Sequence, residues 1–507
     1  MRAAHNVQAV REAERALMAT LPDGALMQRA AAGLASICAG LLGAVYGSRV
    51  VVLAGSGDNG GDALYAAARL AGRGARVIAI SAGSRLHEAA AAELTAQGGR
   101  IVPAVAGDPP DTAVSAAARS AVGAADLIID GLTGIGGHGG LREPGAGLAQ
   151  LAAASRSAGA LVVAVDLPSG IDADTGEVHG DAVAADVTVS FGTLKPGLLI
   201  DPGAGQAGTT ELIGIGLTGY LGEPSAVALQ AADIAALLPR PAAESDKYRR
   251  GVLGLVAGSE QYTGAAMLSC GAAIHGGAGM VRMISAAAAI AVVRQHWPEA
   301  VLTTYDPQRP AAAVTAAGRV QAYAAGPGLG TGETAHALLA AVLASDVPVL
   351  VDADGLTVLA AHRDLLPRRA PTLITPHAGE LAWLTGADRD DIEARRLYHA
   401  RAAAADLGVT VLLKGSTTVI ATPGGSEPVL VNPTGTSWLA TAGSGDVLSG
   451  LAGALLAQGL APADAAAVAA YLHGMAARLA ARDAPIGAGD LIAAIPAAIR
   501  AVRTGDL

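Results

Sequence analysis

The chain carries several glycine-rich turns directly after short apolar runs, and an aspartate, lysine or histidine flanks each. In Leu439–Gly450 the run Gly443-Ser444-Gly445 can turn sharply, so that the N–H groups opening the next helix face one point. Such a nest suits the charged oxygens of a phosphoryl group in transfer. Asp446, directly after it, can accept the proton of a hydroxyl that is being phosphorylated. Lys414-Gly415-Ser416-Thr417-Thr418 offers a cation and hydroxyls suited to phosphates. Thr375–Glu380 puts His377 and a carboxylate beyond a third apolar run, and Gly326–Gly330 is a further glycine turn. Taken alone, His377 is more often a hydrogen-bonded structural histidine than a ligand.

The first half has its own set. Gly55-Ser56-Gly57-Asp58-Asn59-Gly60-Gly61-Asp62 lets the backbone approach a ligand closely, and the helix after it presents free N–H groups to an anion. It lacks the lysine of a Walker loop and the GxGxxG spacing of a dinucleotide fingerprint, and its carboxylates and Asn59 could instead hold a cation. Asp130 precedes the glycine-rich Gly131–Gly140, and Asp166 precedes Leu167-Pro168-Ser169-Gly170. The plainer reading of each aspartate alone is a helix cap or turn former.

These loops need parallel strands to bring them together. Strand candidates in the first half are Val50–Ala54, Val77–Ser81, Leu127–Asp130, Leu161–Asp166 and Val187–Phe191, with helices such as Asp62–Arg73 and Leu86–Gly98 between them. A second cycle runs through Val252–Ala257, Met280–Ile284, Val320–Ala325, Val347–Asp352, Thr372–Thr375 and Val409–Lys414. Thr417–Ala421 and Pro428–Val431 read as a β-hairpin, and a long Ala-rich helical region closes the chain. Alternating β and α elements predict two doubly wound α/β domains, 1–224 and 225–507, divided in the Pro- and Ala-rich passage Gly222–Asp246. Ligands in such sheets sit beyond the carboxyl ends of the strands, where these loops fall.

Composition narrows the partners. The 507 residues carry a net charge of −10 with no basic run, which argues against nucleic acid. No run of about 18 to 20 continuously apolar residues predicts a membrane span, and Met1–Leu21 lacks the apolar middle of a signal peptide. A cytoplasmic protein is therefore expected. Cys38 and Cys270 have no metal or CxxC spacing and read as small buried hydrophobes. Of 34 basic residues only Lys195, Lys247 and Lys414 are lysines, and the asparagines are Asn6, Asn59 and Asn432. Scarce types are better candidates for a chemical requirement. Asn59, Asn432 and the lysines all lie in turn-like segments beside Gly or Pro.

Together, Asp58–Asp62, Asp130 with Gly134–Gly140, and Asp166–Gly170 resemble the NAD(P)H-hydrate epimerase family, whose fold is Rossmann-like. The resemblance implies a potassium ion held by Asn59, Asp130 and Ser169. It also implies substrate held by Asp58, Asn59, Gly60, Gly61, Asp62, by Gly134, Ile135, Gly136, Gly137, His138, Gly139, Gly140, and by Asp166, the candidate acid/base. Asp58 replaces the family's usual first Asn, and His138 stands where relatives often carry a basic residue, leaving the partner of Asp166 open. Lys195, in Phe191–Gly197, is open between a structural and a substrate role.

Residues 245–495 resemble the ribokinase-like NAD(P)H-hydrate dehydratase family through Lys247–Gly251, Tyr262–Ala266, Asp352-Ala353-Asp354, Asn432–Gly435 and the Gly443–Asp446 turn. By resemblance, Ala265, Gly328, His377 and Asp446 contact the hydrated cofactor (NADHX or NADPHX). Lys414, Gly415, Ser416, Thr417, Thr418 and Gly445 would contact ADP or ATP, with magnesium assisting. The implied reaction phosphorylates the C6 hydroxyl, after which the ring nitrogen expels phosphate. A homo-oligomer is expected. The alternatives are a ribokinase-like small-molecule kinase with a non-catalytic N-terminal binding domain, and a cofactor sensor without turnover.

Overall fold

The computed structural model describes residues 1–83, 85–105, 114–137, 139–425 and 427–505. It contains two compact units, residues 3–226 and residues 227–507 together with Met1–Arg2.

The first unit is built on seven strands: β1 (Arg49–Ala54), β2 (Arg76–Ser81), β3 (Arg100–Pro103), β4 (Leu127–Gly131), β5 (Leu161–Val165), β6 (Val187–Phe191) and β7 (Thr209–Ile213). Their spatial order is 3-2-1-4-5-6-7, all parallel. The order reverses between β1 and β4, the topological switch point at which doubly wound sheets bind ligands. Val50-Val51-Val52-Leu53 is an unbroken buried run because both sheet faces are covered. One face packs Leu34, Leu64 and Leu70, and the other packs Leu53, Ile128 and Leu148.

The second unit has β8 (Val252–Val256), β9 (Met280–Ser285), β10 (Val301–Thr304), β11 (Ala322–Ala325), β12 (Val349–Val351), β13 (Thr372–Ile374), β14 (Thr410–Leu413), β15 (Thr418–Ala421) and β16 (Val429–Asn432). These run in the order 16-15-14-13-12-11-8-9-10, parallel from β14 to β10, with β15 and β16 added antiparallel. The closing Ala-rich region is three helices, Ser444–Ala457, Pro462–Ala481 and Ala488–Thr504. Leu451, Leu455, Leu472 and Ile495 from them enter one core with Leu253 and Leu255.

Several expectations shift. The helix predicted over Asp62–Arg73 begins at Asp58, so the acidic loop is the helix's own first turn. Asp166 falls outside β5, at φ +66°. Asn432 is the last residue of β16, donating to the Ala470 carbonyl, and Asn59 is helical; neither lies in a turn. Strands β3, β7 and β10 were not anticipated: they are short or half-exposed, and two begin on arginine or threonine. The passage Gly222–Asp246 contains a strand, Ala226–Ala228, and a helix, Ala231–Leu237. The expectation of no span-length apolar segment also needs amending. Helix Ala25–Leu42 is long and apolar enough to cross a membrane by length and composition alone. However, it carries Gln28 and Arg29, and its Ala30, Ala31, Leu34, Ala35 and Cys38 lie in the unit's core. Cys38 and Cys270 are fully buried, and burial pushes both thiols up to about 12.

Candidate functional sites

In the first unit, the helix Asp58–Gly72 starts directly beyond β1 because the chain can double back there. A Cβ on Gly60 would stand 2.3 Å from the Gly55 carbonyl oxygen, and one on Gly55 would stand 1.9 Å from that of Leu132. This close packing sets Asn59 against the segment after β4, where its Nδ2 donates to the Thr133 carbonyl at 2.8 Å. Asp130 is fully buried and accepts from the Ser169 backbone N–H (2.8 Å) and the Ser169 hydroxyl (2.7 Å). Ser169 Oγ also lies within hydrogen-bond reach of the Thr133 N–H and carbonyl. Asn59 and Ser169 thus both meet the backbone of Thr133, and Asp130, near the end of β4, holds Ser169. Their amide, hydroxyl and carboxylate oxygens form an all-oxygen donor set, the chemistry of a hard cation. Burial holds Asp130 up at about 6 against the lowering effect of its Ser169 hydrogen bonds, so a cation there would offset a buried negative charge.

Asp166 is one of four non-glycine residues with positive φ among those described. Aspartate tolerates that conformation better than most side chains. Its Oδ1 is paired with Lys195 Nζ and accepts from the Phe191 N–H at 3.1 Å and Ser190 Oγ at 3.3 Å. Lys195 is 1% exposed, and its ammonium also donates to Ser190 Oγ and the Phe191 carbonyl. The structure pairs Asp166 with Lys195, 29 residues away in sequence.

A cavity of about 310 Å³ opens beside these groups, walled by Asp58 and Asp62 with Glu14, Met27, Tyr65 and His87. Burial, then the charges of Asp166, Asp58 and Glu14, hold Asp62 well above the usual carboxylate range, and its Oδ1 is buried without a partner among the described residues. Burial and Asp166 likewise raise Glu14. Glu14 was not singled out in the sequence, because nothing in the amphipathic helix Val7–Met18 distinguishes it from a solvated glutamate. Gly134 packs on Asn59, where a Cβ would stand 3.1 Å away. Ile135 and Gly136 form the following turn, a Cβ on Gly136 standing 3.2 Å from Arg11 Nη2. Gly137, Gly139 and Gly140 lie beside His179, whose carbonyl leaves no room for a Cβ on Gly140. His138 lies outside the described residues.

In the second unit, Gly443 caps the helix Ser444–Ala457 at φ +86°, placing Asp446 in its first turn. Asp446 shares the wall of a cavity of about 490 Å³ with Ala265, Gly328, Tyr262 and Asp354. The glycine turn after β11 is forced: a Cβ on Gly326 would stand 1.9 Å from the Asp352 carbonyl oxygen, and one on Gly328 would stand 2.7 Å from the Ala265 Cβ. Asp352 and Asp354 flank Ala353, which holds φ +50° and ψ −125°, a conformation costly for a side-chain-bearing residue.

Lys414 Nζ donates to Asp352 Oδ1 at 2.8 Å and lies 3.5 Å from Glu380 Oε2. Burial disfavours its charge, but Asp352 and Glu380 outweigh that and hold Lys414 above the ordinary lysine value. Gly445 faces this pair, a Cβ there standing 3.7 Å from Lys414 Nζ. Burial and Asp352, opposed by Lys414 and reinforced by Asp354, raise Asp446 to about 7. A half-buried carboxylate poised near neutrality beside an ammonium and a helix N-terminus can take a proton while a phosphoryl group arrives.

The remaining residues are placed less directly. His377 is 56% exposed and caps the helix Ala378–Thr385, its Nδ1 accepting from the Glu380 N–H while Glu380 accepts from its backbone. It does not line the Asp446 cavity, and Glu380 links it to Lys414. Gly415 and Ser416 are exposed, Thr417 is buried and Thr418 opens β15.

A family model described as NAD(P)H-hydrate dehydratase matches residues 253–497, and one described as YjeF-related protein N-terminus matches residues 23–197. The bifunctional NAD(P)H-hydrate repair enzyme of Mycobacterium leprae is 48% identical over 510 aligned residues, covering 99% of both chains. The solved ADP/ATP-dependent NAD(P)H-hydrate dehydratase of Bacillus subtilis, co-crystallised with ATP and Mg²⁺, covers 54% of this chain and 97% of its own, at TM-score 0.50 and 32% identity. A ribokinase-like superfamily protein from Enterococcus faecalis V583 shares the fold, covering 56% of this chain and 98% of its own at TM-score 0.50 and 24% identity. With both halves matched in order and a full-length relative at nearly half identity, the chain belongs to the family of bifunctional NAD(P)H-hydrate repair enzymes.

Proposed function

We propose that the chain repairs hydrated nicotinamide cofactors at two sites. Residues 1–224 interconvert the R and S hydrates of NADH and NADPH. Residues 225–507 dehydrate the S form, driven by ADP or ATP. The observation that carries this is Asp446, a carboxylate raised to about 7 on the wall of a cavity, with Lys414 and the opening turn of its helix beside it.

In the dehydratase site Asp446 takes the proton of the C6 hydroxyl, and that oxygen attacks the terminal phosphorus of the nucleotide. With ADP the leaving group is AMP. The ring nitrogen then expels phosphate from C6, and loss of the C5 proton restores the dihydronicotinamide. Lys414 and the N–H of Gly445 hold the phosphate oxygens, while Ala265, Gly328 and His377 contact the hydrated cofactor. Magnesium, when bound with the nucleotide, would screen its phosphate charge.

In the epimerase site Asp166, paired with Lys195, takes the proton of the C6 hydroxyl as the C6–N1 bond breaks and N1 takes up a proton. Closure of N1 on the other face of the resulting C6 aldehyde returns the hydroxyl inverted; residues 58–62 and 134–140 hold the substrate. A potassium ion held by Asn59, Asp130 and Ser169 would anchor the oxygens of that substrate. The kinase alternative has no observation in its favour.

The test is absorbance at the reduced-nicotinamide band, with mixed R and S hydrates, ADP and magnesium. Both epimers are expected to convert completely. Asp446→Asn should lower dehydration at least a hundredfold and spare epimerisation, with Asp166→Asn giving the reverse. Loss of both activities from either folded variant would overturn the assignment.

A further inference from the structure

We propose that Arg396 and His473 are positioning residues of the dehydratase site: they tie main-chain carbonyls back into the domain so that the N–H groups of Gly415 and Gly445 face the nucleotide's phosphates. The proposal rests on the reading that the nucleotide lies against Lys414–Thr418 and Gly445.

Arg396 opens the helix Arg396–Leu407 and is only 2% exposed. Its Nη2 reaches the carbonyls of Lys414 (2.8 Å), Leu413 (3.2 Å) and Thr417 (3.3 Å), and Nη1 pairs with Glu393. Its Nε finds no partner among the described residues, an expensive arrangement for filling space alone. In a trans peptide the N–H points opposite to the carbonyl it is joined to. With the Lys414 carbonyl drawn inward, the Gly415 N–H must turn outward, where Gly415 is exposed. Gly415 and the guanidinium are packed closely, a Cβ on Gly415 standing 2.2 Å from Arg396 Nη2.

His473, in the helix Pro462–Ala481, repeats the device from another element. It is buried, and its Nε2 lies 3.0 Å from the Ser444 carbonyl oxygen. Burial holds the imidazole down to about 4, so the ring is neutral near pH 7 and Nε2 carries the proton it donates. With the Ser444 carbonyl tied back, the Gly445 N–H points the other way. Gly445 lies beside Lys414, whose Nζ would stand 3.7 Å from a Cβ on it, and Gly415 directly follows Lys414 in the chain. In the proposed arrangement the two N–H groups and the Lys414 ammonium serve the phosphate oxygens together.

The experiment measures kcat and the KM values for ADP and for the S hydrate in the full-length enzyme with magnesium. Arg396→Met and His473→Phe are each expected to raise the KM for ADP at least tenfold, leaving that for the hydrate within twofold. Arg396→Lys should recover part of the loss, and it decides the matter for Arg396 if the methionine variant does not fold. Lys414→Ala is the reference. A normal KM for ADP in folded Arg396 and His473 variants, with Lys414→Ala raised, would overturn the positioning role alone. Both KM values rising together would mark general damage to the domain and also overturn it. An unchanged KM for ADP in Lys414→Ala as well would place the nucleotide elsewhere and sink the parent reading with it.

Discussion

Asp446, proposed as the base of dehydration, sits in a place that disfavours its charge. Its carboxyl is raised from the ordinary 3.8 to about 7 by burial, then by Asp352 and, more weakly, Asp354. A base must be ionised to act, so the dehydration rate should climb as pH rises through about 7 and level off above it. Asp354→Asn removes one repelling charge and should move that limb to lower pH, with the plateau rate changed less than threefold. A pH–rate profile with saturating hydrate and ADP checks both, and a limb indifferent to Asp354 would mean Asp352 and burial act alone. Asp446 and Lys414 were legible in the sequence because each sits inside a short motif whose glycines have one evident use. Lys195 and Asp352 were not assigned partners, because the ion pairs join residues 29 and 62 positions apart, separations that one sequence cannot connect. Glu14, Arg396 and His473 left no signal at all: each lies in an ordinary helix, and only packing turns it toward a site.

At the scale of elements, the central strands were legible because sheets covered on both faces demand continuous apolar runs such as Val50–Leu53. The half-exposed β3, β7 and β10 lack such runs and escaped notice. Misplacing the start of the helix Asp58–Gly72 has a chemical consequence. Glycines and aspartates in a first turn look like a loop by propensity, yet the close approach of Gly60 to Gly55 lets that turn bring Asn59 to Thr133. Gly60→Ala puts a Cβ 2.3 Å from a backbone oxygen, which no side-chain adjustment relieves. Overpacking of this kind typically costs about 1–3 kcal/mol. Epimerisation should fall at least tenfold, with more potassium needed for half-maximal rate, while dehydration is untouched. Titrating epimerisation with potassium at constant ionic strength measures this. A normal potassium dependence in the variant would detach the cation from Asn59.

At the scale of the whole molecule, each unit owns its core and its site. Leu34, Leu64 and Leu70 pack with strands of the first sheet, Leu451, Leu472 and Ile495 with those of the second, and no candidate residue of one site comes from the other unit. A unit with its own sheet, core and ligand pocket can fold alone. Residues 227–507 expressed separately should therefore dehydrate the S hydrate at a rate within about threefold of the full chain, since Arg396, His473, Lys414 and Asp446 all remain. In a mixture of epimers the two proteins should part company. The isolated unit should convert the S fraction and then slow to the spontaneous rate of epimerisation, whereas the full chain continues to completion. Adding residues 1–226 as a separate protein should restore complete conversion, because the hydrate diffuses freely between two independent sites. If the second phase recovers only when the two are covalently joined, the link itself contributes to repair, and independent cores do not make independent catalysts.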